Sequence, residues 1–213
     1  MSSRLPPATL GLIVANVLAF IVQQAGGETL LVHFALWPWG PVHTVMGANG
    51  PVQVGFQVWQ LVTYAFLHGG IAHIFFNMFG LFIFAGAIEY ALGLRRFLVY
   101  YFVCVVTAAL AHLLVVRYVT GGFYPTIGAS GGVFGILLAF AMLFPRQRIV
   151  LLFPPVPMPA WLFVSGYAIL ELVLGVTGTA SGVAHFAHLG GLLGGLALML
   201  YWRRRPPRAA PRG

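Results

Sequence analysis

The 213 residues are 60% hydrophobic and 7% charged, with a mean hydropathy of +0.94, whereas soluble domains carry about a quarter charged residues. That excludes a soluble globular protein and points to one membrane-embedded unit, because apolar stretches recur at bilayer-spanning length. The formal net charge of +8 comes entirely from arginine; these arginines sit in small groups beside the apolar runs, which is the footprint of topology control and not of a nucleic-acid surface.

Six apolar segments follow one another, over Ala8–Gln24, Phe66–Leu92, Phe97–Val116, Ala129–Phe144, Ala160–Val176 and Val183–Trp202. They predict an all-α membrane protein with a six-transmembrane-helix bundle over residues 1–202, followed by a basic Pro/Arg tail over 203–213. The first segment reads as an uncleaved helix and not a signal peptide, since its cleavage match is weak and five spans follow. The fourth and fifth are short for a span of about 20 residues, a deficit that a loop dipping into the protein can make up.

Arg4, the Arg95–Arg96 pair, Arg146, Arg148 and the tail arginines fall on one set of ends, and only Arg117 on the other. The positive-inside rule then places both termini in the cytoplasm and faces residues 25–58, 117–127 and 177–182 outward. In the long outer loop 25–58, Trp37, Trp39, Phe56 and Trp59 interleave with Pro and Gly, the composition of a membrane-interface segment. His33 and His43 within it read as surface residues. The single Cys104 reads as a small packing residue, so neither a disulfide within the chain nor a metal cluster is expected.

Polar groups inside a span are costly and mark bundle interiors or water-filled cavities. With this topology, the second, fourth and sixth helices all start from the outer side. His68, His73 and Asn77 therefore share a depth with Ser130, which begins the fourth helix, and with His185 and His188, which begin the sixth. His73, Asn77 and Gly80 lie on one helical face. Gly131 with Gly135, and His188 with Gly191 and Gly195, form small-residue stripes that let the fourth and sixth helices approach closely. A lone Ser at a helix start is ordinarily a cap, and a lone His ordinarily structural; the joint pattern points to catalysis.

The inventory narrows the chemistry. There is no Asp and no Lys, which removes a two-aspartate protease and a Ser–Lys pair, and no His-Glu-x-x-His string occurs. Ser130 with a histidine remains as nucleophile and base. Of the three glutamates, Glu28 falls in the outer loop and Glu89 beside Arg95 and Arg96, with which it is expected to pair. Glu171 alone could complete a triad, but a structural bond to a neighbouring helix is the preferred reading, so a Ser–His dyad is expected. His73, Asn77 and the Ser130 backbone N–H could together form an oxyanion hole. Spacing alone does not choose between His185 and His188.

At these residues the chain resembles the rhomboid intramembrane serine proteases. Gly128-Ala-Ser-Gly131 is similar to the family's GxSG motif, His68 with His73-Ile-Phe-Phe-Asn77 to its helix-2 pattern, and Ala187-His188-Leu-Gly-Gly191 with Gly195 to its AHxxGxxxG pattern. Gly86-Ala-Ile-Glu89 resembles the end of the family's second helix. The resemblance implies a rhomboid-like fold with Ser130 as nucleophile, His188 as base and His73 and Asn77 lining the oxyanion hole. His185 becomes a neighbour of the base. Two positions depart from the pattern: Trp59-Gln60 stands where many bacterial members have Trp-Arg, and Phe134 where a Tyr often stacks on the base.

The implied activity is cleavage of single-span membrane proteins near their outer membrane boundary; no cofactor or metal is needed, and the short tails point to a bacterial inner membrane. The implied partners are transmembrane substrates and the lipid bilayer; the oligomeric state is left open. The competing readings are a non-catalytic rhomboid-like protein that binds membrane clients, and a small proton-coupled transporter with His relays.

Overall fold

A computed structural model describes residues 5–47, 50–150, 155–178 and 184–204. The described chain is a helical bundle with two small hairpins. Helix α1 (Pro7–Phe34) opens with Pro at its first position, where a missing N–H costs nothing. It runs ten residues beyond the apolar segment read from the sequence and loses helical geometry only at Gly27 (φ 52°, ψ −133°). Glu28 thus stands on the far part of α1 and not in an open loop. The outer segment continues as the hairpin β1 (His43–Gly47) and β2 (Gly50–Val54), paired antiparallel with His43 opposite Val54, and then the short α2 (Gln60–Thr63).

The second long helix is built from α3 (Ile71–Gly80), a π turn over Leu81–Ala85, and α4 (Gly86–Leu92). Gly93, at φ 78°, turns the chain into α5 (Leu94–Val115), itself extended by a π turn over Val116–Thr120. Next come α6 (Ser130–Leu143), the hairpin β3 (Arg148–Val150) and β4 (Pro157–Pro159), α7 (Ala160–Thr177) and α8 (His185–Arg204). Among the described residues, four helices are long and apolar enough to cross a membrane: Pro7–Phe34, Ile71–Leu92, Leu94–Thr120 and Ala160–Thr177. The 14-residue α6 is apolar but shorter, about 21 Å at 1.5 Å per residue. Residues 205–213 of the basic tail, 179–182 of the last outer segment and Val183 of the sixth apolar segment lie outside the described residues.

The bundle exposes many large apolar side chains and buries several polar ones. Leu18, Ile21, Phe76, Phe82, Ile169 and Leu193 are exposed, while Asn16, Gln60, His68, Glu89, His112 and Glu171 are buried. That is the distribution expected when lipid, not water, is the surrounding solvent.

Helix α5 is the hub. Phe97, Tyr100, Tyr101, Cys104, Val105, Ala108 and Ala109 on it are wholly buried. Two tyrosine hydroxyls lock neighbours to it: Tyr64 Oη donates to the Val105 carbonyl at 2.9 Å, and Tyr100 Oη to the Gly135 carbonyl at 2.7 Å. Glycines let α6 and α8 close on it and on each other. A Cβ at Gly132 would strike the Tyr101 ring, one at Gly194 would strike Thr107, and one at Gly191 would overlap the Gly131 carbonyl. The buried Cys104 faces Gly135 and Gly195, a packing role as read from the sequence.

Glu89 departs from expectation. Its carboxylate accepts from the Ala8 N–H at 2.9 Å, the Thr9 N–H at 2.7 Å and the Thr9 hydroxyl at 2.8 Å. It therefore caps the start of α1 from 80 residues away, satisfying amides that have no partner within their helix, instead of pairing with Arg95 and Arg96. Arg96 lies over the Trp202 ring at 5.4 Å, which sets the α4–α5 turn and the end of α8 at the same end of the bundle. The candidate site lies at the other.

Candidate active site

Ser130 is the first residue of α6, where backbone N–H groups lack intrahelical acceptors and the helix dipole is positive. The segment before it is pinned on three sides. Leu36 and Thr126 exchange backbone hydrogen bonds at 3.0 and 2.9 Å, the Gly128 N–H donates to the Tyr64 carbonyl at 3.0 Å, and the Thr126 hydroxyl meets His112 Nε2 at 2.6 Å. Thr126 and Ala129 at the end of this loop are buried against the bundle. His112, buried in α5, was missed in the sequence, although an ionisable group inside a span is itself a signal.

His188 lies on the first turns of α8, and its Nε2 is 2.8 Å from Ser130 Oγ. The close contact of Gly131 with Gly191 makes that distance reachable. Phe134, one turn below Ser130, stacks on the imidazole with centroids 4.3 Å apart and planes 7° apart. The stacking expected of this position is present without a hydroxyl.

The other nitrogen of His188 carries the main departure from the sequence reading. Its Nδ1 is 2.9 Å from Glu171 Oε2, and the same oxygen is 2.7 Å from His185 Nδ1. Glu171 does bond a neighbouring helix, as expected, but it does so through the candidate base. The arrangement around Ser130 and His188 is thus not an isolated pair: a buried carboxylate stands behind the imidazole. His185, the expected neighbour of His188, is buried too. The ligand atoms of Glu171, His185 and His188 lie within 4.8 Å of one another, and Glu171 Oε2, His185 Nδ1 and His188 Nδ1 among them are joined by hydrogen bonds.

On the opposite wall, the Gly69 N–H donates to His73 Nδ1 at 3.2 Å. With Nδ1 accepting, the neutral ring carries its proton on Nε2. That nitrogen faces the loop before the serine, since a Cβ at Gly128 would lie 2.7 Å from it and 3.7 Å from Ser130 Oγ. Gly128, at φ 125°, supplies both a backbone shape closed to most residues and the room for His73. Asn77 is buried and one of its amide hydrogens goes to the His73 carbonyl at 2.9 Å, leaving the other to donate. Gly80, next on that face, meets Val133 of α6, so the His73–Asn77–Gly80 face is the one turned toward α6.

His68 is wholly buried, bound through its backbone to Gln23 in both directions at 2.9 and 2.8 Å, with its ring edge-on to His73 at 5.1 Å. It supports His73 and is not in contact with Ser130 by any of these bonds. His33 and His43 are exposed, as expected. Gln60, at the position where Arg is common, is wholly buried: it accepts from the Trp37 and Gln57 N–H groups at 3.2 and 3.1 Å. A neutral amide there stitches the outer loop together.

The same residues fall within a known domain. A family profile described as the Rhomboid domain matches residues 55–205, a span that holds every residue of the site. The chain is 31% identical over 190 residues to rhomboid protease GluP of Bacillus subtilis, covering 89% of this chain and 34% of that protein. It is 27% identical over 203 residues to rhomboid protease GlpG of Salmonella choleraesuis, covering 93% and 64%. It is 26% identical over 208 residues to the human presenilin-associated rhomboid-like protein, mitochondrial, covering 92% and 50%. The chain therefore spans between a third and two thirds of the length of these relatives. With its long apolar helices and bacterial relatives it is an integral membrane protein. A domain match over most of the sequence, including the helices that carry Ser130 and His188, makes this chain a member of the rhomboid family.

Proposed function

We propose that this chain is an intramembrane serine endopeptidase that cleaves single-span membrane proteins near the outer boundary of the bilayer. The observation that carries the proposal is the 2.8 Å contact between Ser130 Oγ and His188 Nε2, made where α6 and α8 touch through Gly131 and Gly191. A serine hydroxyl bound to a histidine nitrogen at that distance is an activated nucleophile.

His188 Nε2 removes the hydroxyl proton as Ser130 Oγ attacks the scissile carbonyl carbon. The developing oxyanion is met by the Ser130 backbone N–H, His73 Nε2–H and the free Asn77 amide hydrogen, each such donor contributing roughly 3 kcal/mol to transition-state stabilisation. His188 then protonates the leaving amine. The acyl-enzyme on Ser130 is hydrolysed by a water that His188 deprotonates in turn. The site lies at the bundle end opposite Arg96 and Trp202. By the positive-inside rule that end faces outward, with six membrane passes, both termini in the cytoplasm and the bacterial inner membrane as the setting.

The test is covalent labelling by a fluorophosphonate probe. Purified protein is expected to label, while Ser130→Ala and His188→Ala are not. A wild type that fails to label, or Ser130→Ala labelling equally, rejects a serine protease and favours a client-binding protein. His185→Ala silent with His188→Ala active would reassign the base.

A further inference from the structure

Glu171 has no part in the chemistry above, yet it is a carboxylate 3% exposed on an apolar helix. A buried carboxylate in a bilayer is expensive unless it is paired and hydrogen-bonded. Its partners here are two imidazoles, His185 and His188, each presenting Nδ1 to the same oxygen, Oε2. A carboxylate can only accept, so both rings must donate, and both neutral rings then hold their proton on Nδ1 and leave Nε2 bare. For His188 the bare nitrogen is the one at Ser130 Oγ, the tautomer that a base needs. For His185 the bare Nε2 is buried and has no partner among the described residues, so its one hydrogen bond is the hold on Glu171. The two rings sit edge to face at 6.5 Å and 88°. One donor thus steadies the carboxylate while the other is oriented by it.

We propose that Glu171 is a positioning residue that completes a Ser130–His188–Glu171 triad, its carboxylate anchored in turn by His185. The inference rests on the reading of Ser130 as nucleophile and His188 as base. It accounts for how a chain without a single Asp can fix the tautomer of its base and stabilise the imidazolium that forms during attack. Without an acceptor at Nδ1 the neutral ring is free to carry its proton on Nε2, where it cannot receive one from the serine. In soluble triads, replacing the carboxylate by its amide keeps the geometry and lowers kcat by about 10⁴-fold.

The bland alternative is that Glu171 only ties α7 to α8. Glu171→Gln separates the two, because the amide oxygen still accepts from an imidazole N–H and so keeps the tie, while the charge is lost and the amide N–H₂ can turn the ring to the wrong tautomer. The measurement is kinact and KI for a fluorophosphonate probe on the purified full chain, alongside thermal melting. For Glu171→Gln, kinact is expected to fall about 100-fold or more at unchanged KI. Glu171→Asp keeps the charge on a shorter stem and is expected to recover about tenfold of that loss. Wild-type kinact in Glu171→Gln, or no recovery in Glu171→Asp, overturns the triad and leaves Ser130 and His188 standing. A wild type that does not label overturns the underlying protease reading instead. If the amide variant does not melt cooperatively, Glu171→Asp against wild type decides: lowered kinact at unchanged KI supports the triad, and equal kinact overturns it.

Discussion

The contact between Gly131 and Gly191 makes a prediction about catalysis without touching a catalytic group. A Cβ at Gly191 would overlap the Gly131 carbonyl oxygen, lying 2.8 Å from that carbonyl carbon and 3.1 Å from its Cα. These are backbone atoms of α6, so no side chain can swing away. Ordinary contact begins at 3.4 Å, so clearing the carbonyl carbon alone needs about 3.4 − 2.8 = 0.6 Å of helix separation, and the oxygen demands more. Ser130 adjoins one glycine and His188 lies one turn from the other. The same displacement would stretch their 2.8 Å contact to about 3.4 Å, where a hydrogen bond is weak. A misplacement of about 1 Å costs roughly 100-fold in rate, so Gly191→Ala is expected to lower kcat/KM by about 10- to 100-fold. Folding should survive, since overpacking costs about 1–3 kcal/mol and Ala regains up to about 1 kcal/mol of helix propensity. The assay is fluorophosphonate labelling rate with thermal melting in parallel, and Gly166→Ala, where a Cβ meets nothing within 4 Å, is the matched control. Labelling of Gly191→Ala at the Gly166→Ala rate would refute the reasoning.

Two further outcomes follow from other contacts. Glu89→Ala leaves two amides and a hydroxyl at the start of α1 without their acceptor, and should lower stability by about 1–3 kcal/mol while labelling below the melt stays normal; an unchanged melting curve in detergent would show that solvent or lipid replaces the cap. His73→Ala removes the proposed oxyanion donor, whose proton is held on Nε2 by the Gly69 N–H, and should lower kcat about 100-fold or more at similar KM. Peptidase assays in proteoliposomes separate the two parameters, and a loss confined to KM would assign His73 to substrate binding instead.

The sequence by itself determined the membrane class, the order of the helices and the residues gathered at one depth. Ser130, His73, Asn77 and the pair His185 and His188 were legible because a polar group in an apolar helix is conspicuous and the helical period assigns its face; the resemblance alone favoured His188 over His185. The glycine stripes at Gly131 and Gly135 and at Gly191 and Gly195 announced close packing for the same local reason. The packing partner of Phe134 was likewise legible through the resemblance. What the tertiary structure decided is which faces meet and which buried charge finds which donor. Glu89 caps α1 across 80 residues of sequence rather than pairing with the arginines nearby. His112 pins Thr126 ahead of Ser130 from α5, and Gln60 organises the outer loop from within. Glu171 reaches His188 only because α7 docks against α8 in one rotation, which no spacing along α7 encodes. Helical periodicity is a local property of the chain, whereas the partner of a buried carboxylate is set by long-range packing. For that reason Ser130 and its candidate histidines could be picked out in the sequence, and the carboxylate that meets His188 could not.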